Sequence, residues 1–436
     1  LKILIITAWY APFIHPRAHR WTAVAEHWVG EGHEVHVLTA RLREADKNEF
    51  LQGVSVHRVG FDSLKEWVYF RLGSRGARGR VGVKPSKPSL SIKLVSWVYK
   101  TVWKNLFFPD DACVWYFPAK RKLRQLLENE HFDAVISVSL PFTGHLLGLL
   151  TFRKFQTFGK LKPIWLADIG DPFSFQAKPP NNSFLYGNIN RRLERKVLET
   201  ADAVTVTTEA TLNKYREQFG ANAVKNMHVT PPLLTTSPHT PNPPITHPPI
   251  THPPITQLGY FGALYAPTRT PDAFLDLLAQ TFWLRPELRG HLEIHFYGEI
   301  FPEFYEPLNA EPSIRLHGLC SREATRAAMQ AMDILLNIGN STDFQLPSKV
   351  ADYLAAGKPI LNLSYVENDP VAGFFKGNPM FFSLKIENGR VNNPELQRWL
   401  EWLECEKPNL SEVEIEALVA PFLVDRIAKQ YLALIT

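Results

Sequence analysis

The chain has 436 residues, of which 45% are hydrophobic and 21% charged. That is about three times a ~150-residue domain with an ordinary globular composition, which excludes a single small fold and global disorder. The net charge of +5 is unevenly spread, because residues 58–125 hold fifteen Lys or Arg against four acids, leaving the rest of the chain net negative.

In chain order, residues 1–7 form a continuous apolar strand, residues 20–29 an amphipathic helix that Gly32 ends, and residues 34–39 a second strand. Short buried runs at 134–138, 163–167 and 203–207 are each followed by turn residues and a helical stretch. The pentad repeat PNPPITHPPITHPPITQ at 241–257 is too rich in proline for helix or sheet and predicts an extended linker. Strand and helix then alternate again, with strands at 257–261, 292–297, 334–337 and 359–363. This pattern predicts an α/β chain with two parallel sheets and crossover helices. The expected domains are 1–230, with a basic aromatic insertion at about 58–125, a linker at 231–257, and 258–415, with a terminal helix from 411 to 436 packing back on the first domain.

Cys113, Cys320 and Cys405 lie far apart and have no ligand spacing, which argues for a reducing compartment and against a disulfide scaffold or a metal site. No run reaches the ~20 apolar residues of a membrane span, and residues 1–7 are too short for a signal peptide. A cytoplasmic location is expected. The basic stretch carries Trp67, Tyr69, Phe70, Trp97, Tyr99, Trp103, Phe107 and Phe108. That mixture suits an anionic membrane surface on the inner face of the plasma membrane; the alternative is an ordinary basic loop followed by a core helix. No nucleic-acid recognition motif is present.

Ligands of open α/β sheets bind beyond the carboxyl ends of the strands. There is no GxGxxG after the first strand and no Walker motif, which weighs against dinucleotide oxidoreductases and ATPases. The segment STDFQLPSKVADYLAAGKPIL at 341–361 frames a helix of about ten residues, with Pro347 at its first position and Gly357 after its end. Its amino end, with Ser348 and Lys349, suits a phosphate, and Asp352 one turn on suits sugar hydroxyls; the alternative is a solvent-facing Lys349–Asp352 pair. Asp168 and Asp171, after an apolar strand, suit an acceptor hydroxyl or a turn cap. Arg17 and Arg20 lie in the first loop, where a positive charge could meet a donor phosphate or an anionic acceptor, a surface role being the alternative for Arg17; His145, after SLPFTG, faces the cleft or is a histidine satisfied inside the helix start.

The segment PSKVADYLAAGKPIL resembles the signature of GT-B glycosyltransferases of family 4, in the subgroup that reads roughly PSKxxEYLAxGKPIL. LKILIITAWYAP and AEHWVGEGHEVHVLTA are similar to that family's opening strands and helix, WLADIGDPF to its DxxDPW loop, and LERKVLETADAVTVTTEA and GYFGALYAPTRTP to its middle segments. The resemblance implies two facing Rossmann-like domains (GT-B) with an interdomain cleft. It also implies a metal-independent, hexosyltransferase-like retaining enzyme, with no cofactor, acting in polysaccharide or glycolipid biosynthesis. A nucleotide-sugar donor would meet Arg269, Ser348, Lys349 and Asp352, and a glycan or lipid-linked acceptor the first domain. Phe344 stands where the family has glutamate, so Asp343 is the displaced donor-side carboxylate, and Ala263 replaces a customary arginine. These departures leave open a catalytically silent sugar-nucleotide-binding partner subunit; a sugar-nucleotide epimerase is the other alternative on the same architecture.

Overall fold

The structure is a computed structural model that describes residues 1–13, 15–41, 48–71, 103–158, 162–176, 179–234, 255–408 and 410–436. The chain divides into two compact units, Leu1–Thr235 with Phe422–Thr436, and Thr236–Pro421.

In the first unit the strands are β1 (Lys2–Ile6), β2 (Glu34–Thr39), β3 (Asn48–Leu51), β4 (Val54–Arg58), β5 (Ala134–Ser139), β6 (Ile164–Ile169), β7 (Ala203–Val206) and β8 (Met227–Val229). They form one sheet in the order β3-β4-β2-β1-β5-β6-β7-β8, parallel except for β3 against β4. Central strands covered on both faces must be apolar throughout, which is why β1 reads KILII with its last four residues buried. The strand order reverses between β1 and β5, opening a ligand crevice beyond their carboxyl ends.

The principal helices of this unit are α1 (Pro16–Gly30), α2 (Cys113–Asn129), α3 (Thr143–Phe158), α4 (Ser183–Thr200) and α5 (Glu209–Phe219). Helix α1 starts a turn before the expected residue 20, because Pro16 takes the first position and the His15 side chain accepts from the Arg17 amide. Its buried stripe of Ala18, Trp21, Val24, Ala25 and Trp28 follows the helical repeat and meets the sheet.

The second unit contains β9 (Thr256–Phe261), α6 (Asp272–Leu284), β10 (Leu292–Tyr297), β11 (Ile314–Gly318), α7 (Arg322–Ala331), β12 (Ile334–Ile338), α8 (Val350–Ala356), β13 (Ile360–Ser364), β14 (Phe381–Glu387), β15 (Arg390–Val391), α9 (Asn393–Glu404) and α10 (Glu412–Val419). Its sheet runs β11-β10-β9-β12-β13-β14-β15, parallel except for β15. The order reverses between β9 and β12, giving a second crevice. Strands β9 and β12 pair only over Leu258–Tyr260 and Ile334–Leu336, and beyond them the Tyr353 hydroxyl donates to Leu336 O at 2.9 Å and accepts from Phe261 N at 3.0 Å. One phenol on α8 thus satisfies the two backbone groups that the splaying strands leave unpaired.

The single terminal helix expected over 411–436 is two. Ser411 caps α10 with a reciprocal Ser–Glu box, and α10 packs on α8 in the second unit. Only Phe422–Thr436, carrying α11 (Val424–Leu432), belongs to the first unit, where it lies on α1. The expected linker also narrows, since Leu233 and Leu234 are buried in the first unit and β9 opens at Thr256. The PPITH repeat up to residue 254, and residues 72–102 of the basic stretch with Arg75, Arg78 and Arg80, lie outside the described residues.

Candidate functional site

Two sets of polar side chains stand at the carboxyl edges of the two sheets. In the second unit Arg269 follows β9, Asn340 follows β12, and Lys349 immediately precedes α8. The Arg269 guanidinium donates Nη2 to Asn340 Oδ1 at 2.7 Å, and Asn340 in turn donates Nδ2 to Gln345 O at 3.1 Å. Its Nε is buried with no hydrogen-bond partner. The Lys349 ammonium lies 4.0 Å from the Tyr260 ring centroid and 5.1 Å from that of Tyr353, and its Nζ is likewise buried and unpartnered. Cation–π contacts offset part of that desolvation but satisfy none of the three ammonium donors. Burial, with the nearby Arg269 charge, pushes the Lys349 pKa well below its usual range. Two cations sharing a crevice, each with a donor unused, form a receptor for a multiply charged anion.

Helix α8 is shorter than expected. It begins at Val350 rather than Pro347, because Val350 N bonds to Pro347 O at 3.3 Å and a turn carries Ser348 and Lys349 into the helix. Its end agrees with the expectation, with Gly357 at φ 62, a left-handed position where a Cβ would also lie 2.4 Å from Ile415. Ser348 is exposed and Asp352 half-buried. The solvent-facing Lys349–Asp352 pair is not formed, since Lys349 Nζ faces two rings instead. Asp343 is exposed, whereas Phe344 is buried beside it.

In the first unit the structure redistributes the expected roles. Asp168, near the end of β6, is buried, and each of its oxygens accepts two bonds. Oδ2 takes Arg17 Nη1 and Trp21 Nε1, both at 2.9 Å; Oδ1 takes Thr205 Oγ1 at 2.9 Å and Tyr431 OH at 3.0 Å. Burial opposes its ionisation, but Arg17 and Arg20 outweigh that and hold the carboxyl below its usual range. A carboxylate saturated in this way is a positioning residue and no free base.

Arg20, expected beside the cleft, is buried. Its Nε donates to Tyr431 OH at 2.8 Å, and its Nη1 and Nη2 donate to Pro231 O and Thr230 O at 2.8 and 3.2 Å. The guanidinium thus joins the C-terminal segment to the chain just after β8 and is buried there. Arg17, the other cation of that loop, is ion-paired to Asp168 and lies against Gly170, where a Cβ would sit 2.5 Å from its Nε.

His145 is fully buried, with Nδ1 2.8 Å from Ser137 Oγ, and burial pushes its pKa down to about 3. The same Ser137 oxygen accepts from Trp165 Nε1 at 2.9 Å, and His145 Nε2 is buried with no hydrogen-bond partner. His145 is therefore enclosed at the start of α3, the second of the two places its position allowed. Asp171 is half-buried in the turn after β6.

That turn is fixed by Glu194, which sequence reasoning missed. From the buried side of α4 it accepts Phe173 N at 2.7 Å, Ser174 N at 2.9 Å and Tyr215 OH at 2.6 Å. The only signal was an acid on the helical face that otherwise carries Asn190, Val197 and Leu198 inward.

Among the described residues one group has metal-ligand spacing, Glu34, His36 and Glu130. The Lys2 ammonium sits between its carboxylates, 2.8 and 2.7 Å away, and makes it an ion-pair cluster. No helix among the described residues is long and apolar enough to cross a membrane.

Two α/β units, each with a switch-point crevice carrying polar and cationic side chains, define a nucleotide- or sugar-phosphate-binding class of protein. Residues 18–232 match the model of the glycosyl transferase 4-like domain, and the N-terminal unit belongs to that family. The whole chain superposes on solved GT-B structures. Sucrose-phosphate synthase from Thermosynechococcus elongatus gives a TM-score of 0.61 at 12% identity, covering 99% of this chain and 98% of the other. WaaG, a glycosyltransferase involved in lipopolysaccharide biosynthesis, gives 0.60 at 12% identity, covering 100% and 99%. HepE from Anabaena, in complex with UDP and glucose, gives 0.58 at 11% identity, covering 99% and 98%. No curated protein sequence matches. The chain has the GT-B fold, and its first unit carries a glycosyl transferase 4-like domain.

Proposed function

We propose that the chain is a retaining glycosyltransferase that moves a hexose from a nucleotide-sugar donor to a glycan or lipid-linked acceptor in polysaccharide or glycolipid synthesis. The observation that carries the donor half is the pair of buried, unsatisfied cationic donors at the β9/β12 crevice, Arg269 Nε and Lys349 Nζ. A nucleoside diphosphate is the anion that such a pair fits, with Ser348 beside its oxygens and Asp352 toward the ribose.

In the reaction the bond from the anomeric carbon to the diphosphate oxygen breaks and a bond to the acceptor oxygen forms on the same face. The negative charge that grows on the leaving diphosphate is met by Arg269 and Lys349, which supply what a metal ion supplies in other transferases. The acceptor proton passes to a base at the first unit, where Asp171 takes the role and Asp168 holds Arg17 in place. The basic insertion orients the acceptor side toward an anionic membrane on the cytoplasmic face.

Incubation with UDP-, GDP-, ADP- and dTDP-sugars tests this reading. Nucleotide release that depends on an added acceptor supports it. Binding without turnover favours the silent subunit, for which the buried Phe344 beside an exposed Asp343 is the specific observation. Acceptor-independent release of free nucleotide with an altered sugar points to an epimerase.

A further inference from the structure

The loop that leaves β1 carries a row of rings. Trp9 lies parallel to Phe13, with centroids 5.7 Å apart and planes at 7°, and the His15 ring stands 4.2 Å from Trp9. The core beneath takes only part of Trp9, and all three rings are half-buried, so each still meets solvent. The loop is held from several sides. Thr7 Oγ1 donates to Trp9 O at 3.0 Å, Ala11 N to Thr22 Oγ1 at 3.3 Å and Phe13 N to Tyr10 O at 3.1 Å, while Arg58 at the end of β4 donates to Ala11 O. The indole is oriented by Asp62, which accepts from its Nε1 at 3.1 Å. A ring surface set in place before binding suits the C–H face of a pyranose, because those hydrogens carry partial positive charge and an aromatic face partial negative.

One cation borders this surface. Arg41 follows β2, beside the loop, since the preceding Ala40 N donates to Ala8 O at 3.3 Å. Its own amide donates to Gly60 O at 2.9 Å, and its guanidinium lies 5.9 Å from the Phe61 ring centroid. Trp9 and Arg41 therefore border the same segment, which Trp9 meets at Asp62 and Arg41 at Gly60 and Phe61. The other charges near the loop are engaged, Arg58 by Glu49, Arg17 by Asp168 and Asp62 by the indole. Among the described residues Arg41 makes no ion pair, and its Nε is buried with no hydrogen-bond partner. A single unpaired guanidinium matches one negative charge, whereas the two cations of the β9/β12 crevice suit a diphosphate. A carboxylate is the singly charged group whose two oxygens fit the guanidinium fork.

We propose that the first unit binds an acidic hexose, a uronate, with its ring stacked on Trp9 and Phe13 and its carboxylate at Arg41. The proposal rests on the reading of the first unit as the acceptor side and narrows the acceptor to a glycan that carries a uronate. Saturation-transfer NMR titrations of the full chain with methyl glucuronide, methyl glucoside, glucose 6-phosphate and inorganic phosphate test it. The wild type should bind the glucuronide at least about tenfold more tightly than the glucoside, the least that a hydrogen bond to a charged group should give. Arg41→Gln should remove that preference and leave glucoside affinity within about twofold of wild type, because only the charged contact is lost. Trp9→Leu should weaken both sugars alike, by about threefold to tenfold.

An unchanged urea midpoint verifies that the variants are folded, and the wild-type preference decides the matter by itself should one of them not fold. Equal binding of the two glycosides, binding of neither, or an equal loss of both in Arg41→Gln would overturn the proposal. So would tighter binding of glucose 6-phosphate or inorganic phosphate than of the glucuronide, since the site would then take a phosphate group. Nucleotide release that depends on a neutral acceptor, without a glucuronide preference, would overturn the proposal and leave the transferase reading standing. Glucuronide binding by a protein that binds no nucleoside diphosphate would overturn the transferase reading and leave the uronate site standing.

Discussion

The Tyr431 hydroxyl on α11 donates to Asp168 Oδ1 at the end of β6, 3.0 Å away, while Arg20 Nε donates to the same hydroxyl at 2.8 Å. The last helix of the chain is thereby joined to the strand whose following turn carries Asp171. Tyr431→Phe removes both bonds and leaves one lone pair of a buried carboxylate empty. It should destabilise the N-terminal unit by about 1–3 kcal/mol, read as a lower midpoint in urea.

Asp168 and Asp171, three residues apart, should separate cleanly. Asp168→Asn leaves the half-buried Arg17 without its countercharge and sets a buried amide against four donors, so it should cost about 3–5 kcal/mol of stability. Asp171→Asn should change stability by less than about 1 kcal/mol, as expected of a half-buried turn residue, and lower turnover instead. Denaturation paired with nucleotide-release rates on both variants checks this.

His145 sets an acid limit. Burial holds its pKa at about 3 in the folded chain, against about 6.5 unfolded. Between those values the unfolded state binds a proton that the folded state does not, so stability is full above pH 6.5 and falls as the pH drops below it. From pH 6.5 to 4.5 the loss should be about 2–3 kcal/mol. His145→Gln should flatten that part of the stability profile in urea titrations at a series of pH values.

Much of the fold was legible because it follows from local pattern. The apolar runs of β1, β5, β6, β9, β12 and β13 are buried on both faces, and Gly32 and Gly357 punctuate the chain by backbone geometry alone. Strands β3 and β4 at one edge of their sheet and β8 at the opposite edge lack that signature, as do β14 and β15 at the margin of the other sheet. The burial of Arg20 was not legible, because it depends on where Pro231 and Tyr431 arrive, more than 200 residues away. Lys349 was found by its motif, but its burial between two tyrosines depends on β9 and α8 meeting in space.

Lys349 also predicts a linked proton. Its pKa is depressed by burial and by Arg269 in the free protein, and a bound diphosphate would restore it. Binding of a nucleoside diphosphate should therefore take up protons, and affinity should fall as the pH rises. Calorimetric enthalpies measured in buffers of different ionisation heat report the uptake directly, and Lys349→Met should abolish it.

The most direct measurement is calorimetric affinity for nucleoside diphosphates and for free diphosphate in the wild type, Lys349→Ala, Arg269→Ala and Asp352→Ala. Lys349→Ala and Arg269→Ala should each weaken nucleoside-diphosphate binding by about 1.5–3 kcal/mol, the range for hydrogen bonds to charged groups. Asp352→Ala should weaken the nucleotide and spare free diphosphate. Unchanged affinities in all three variants would contradict the account and place the donor elsewhere.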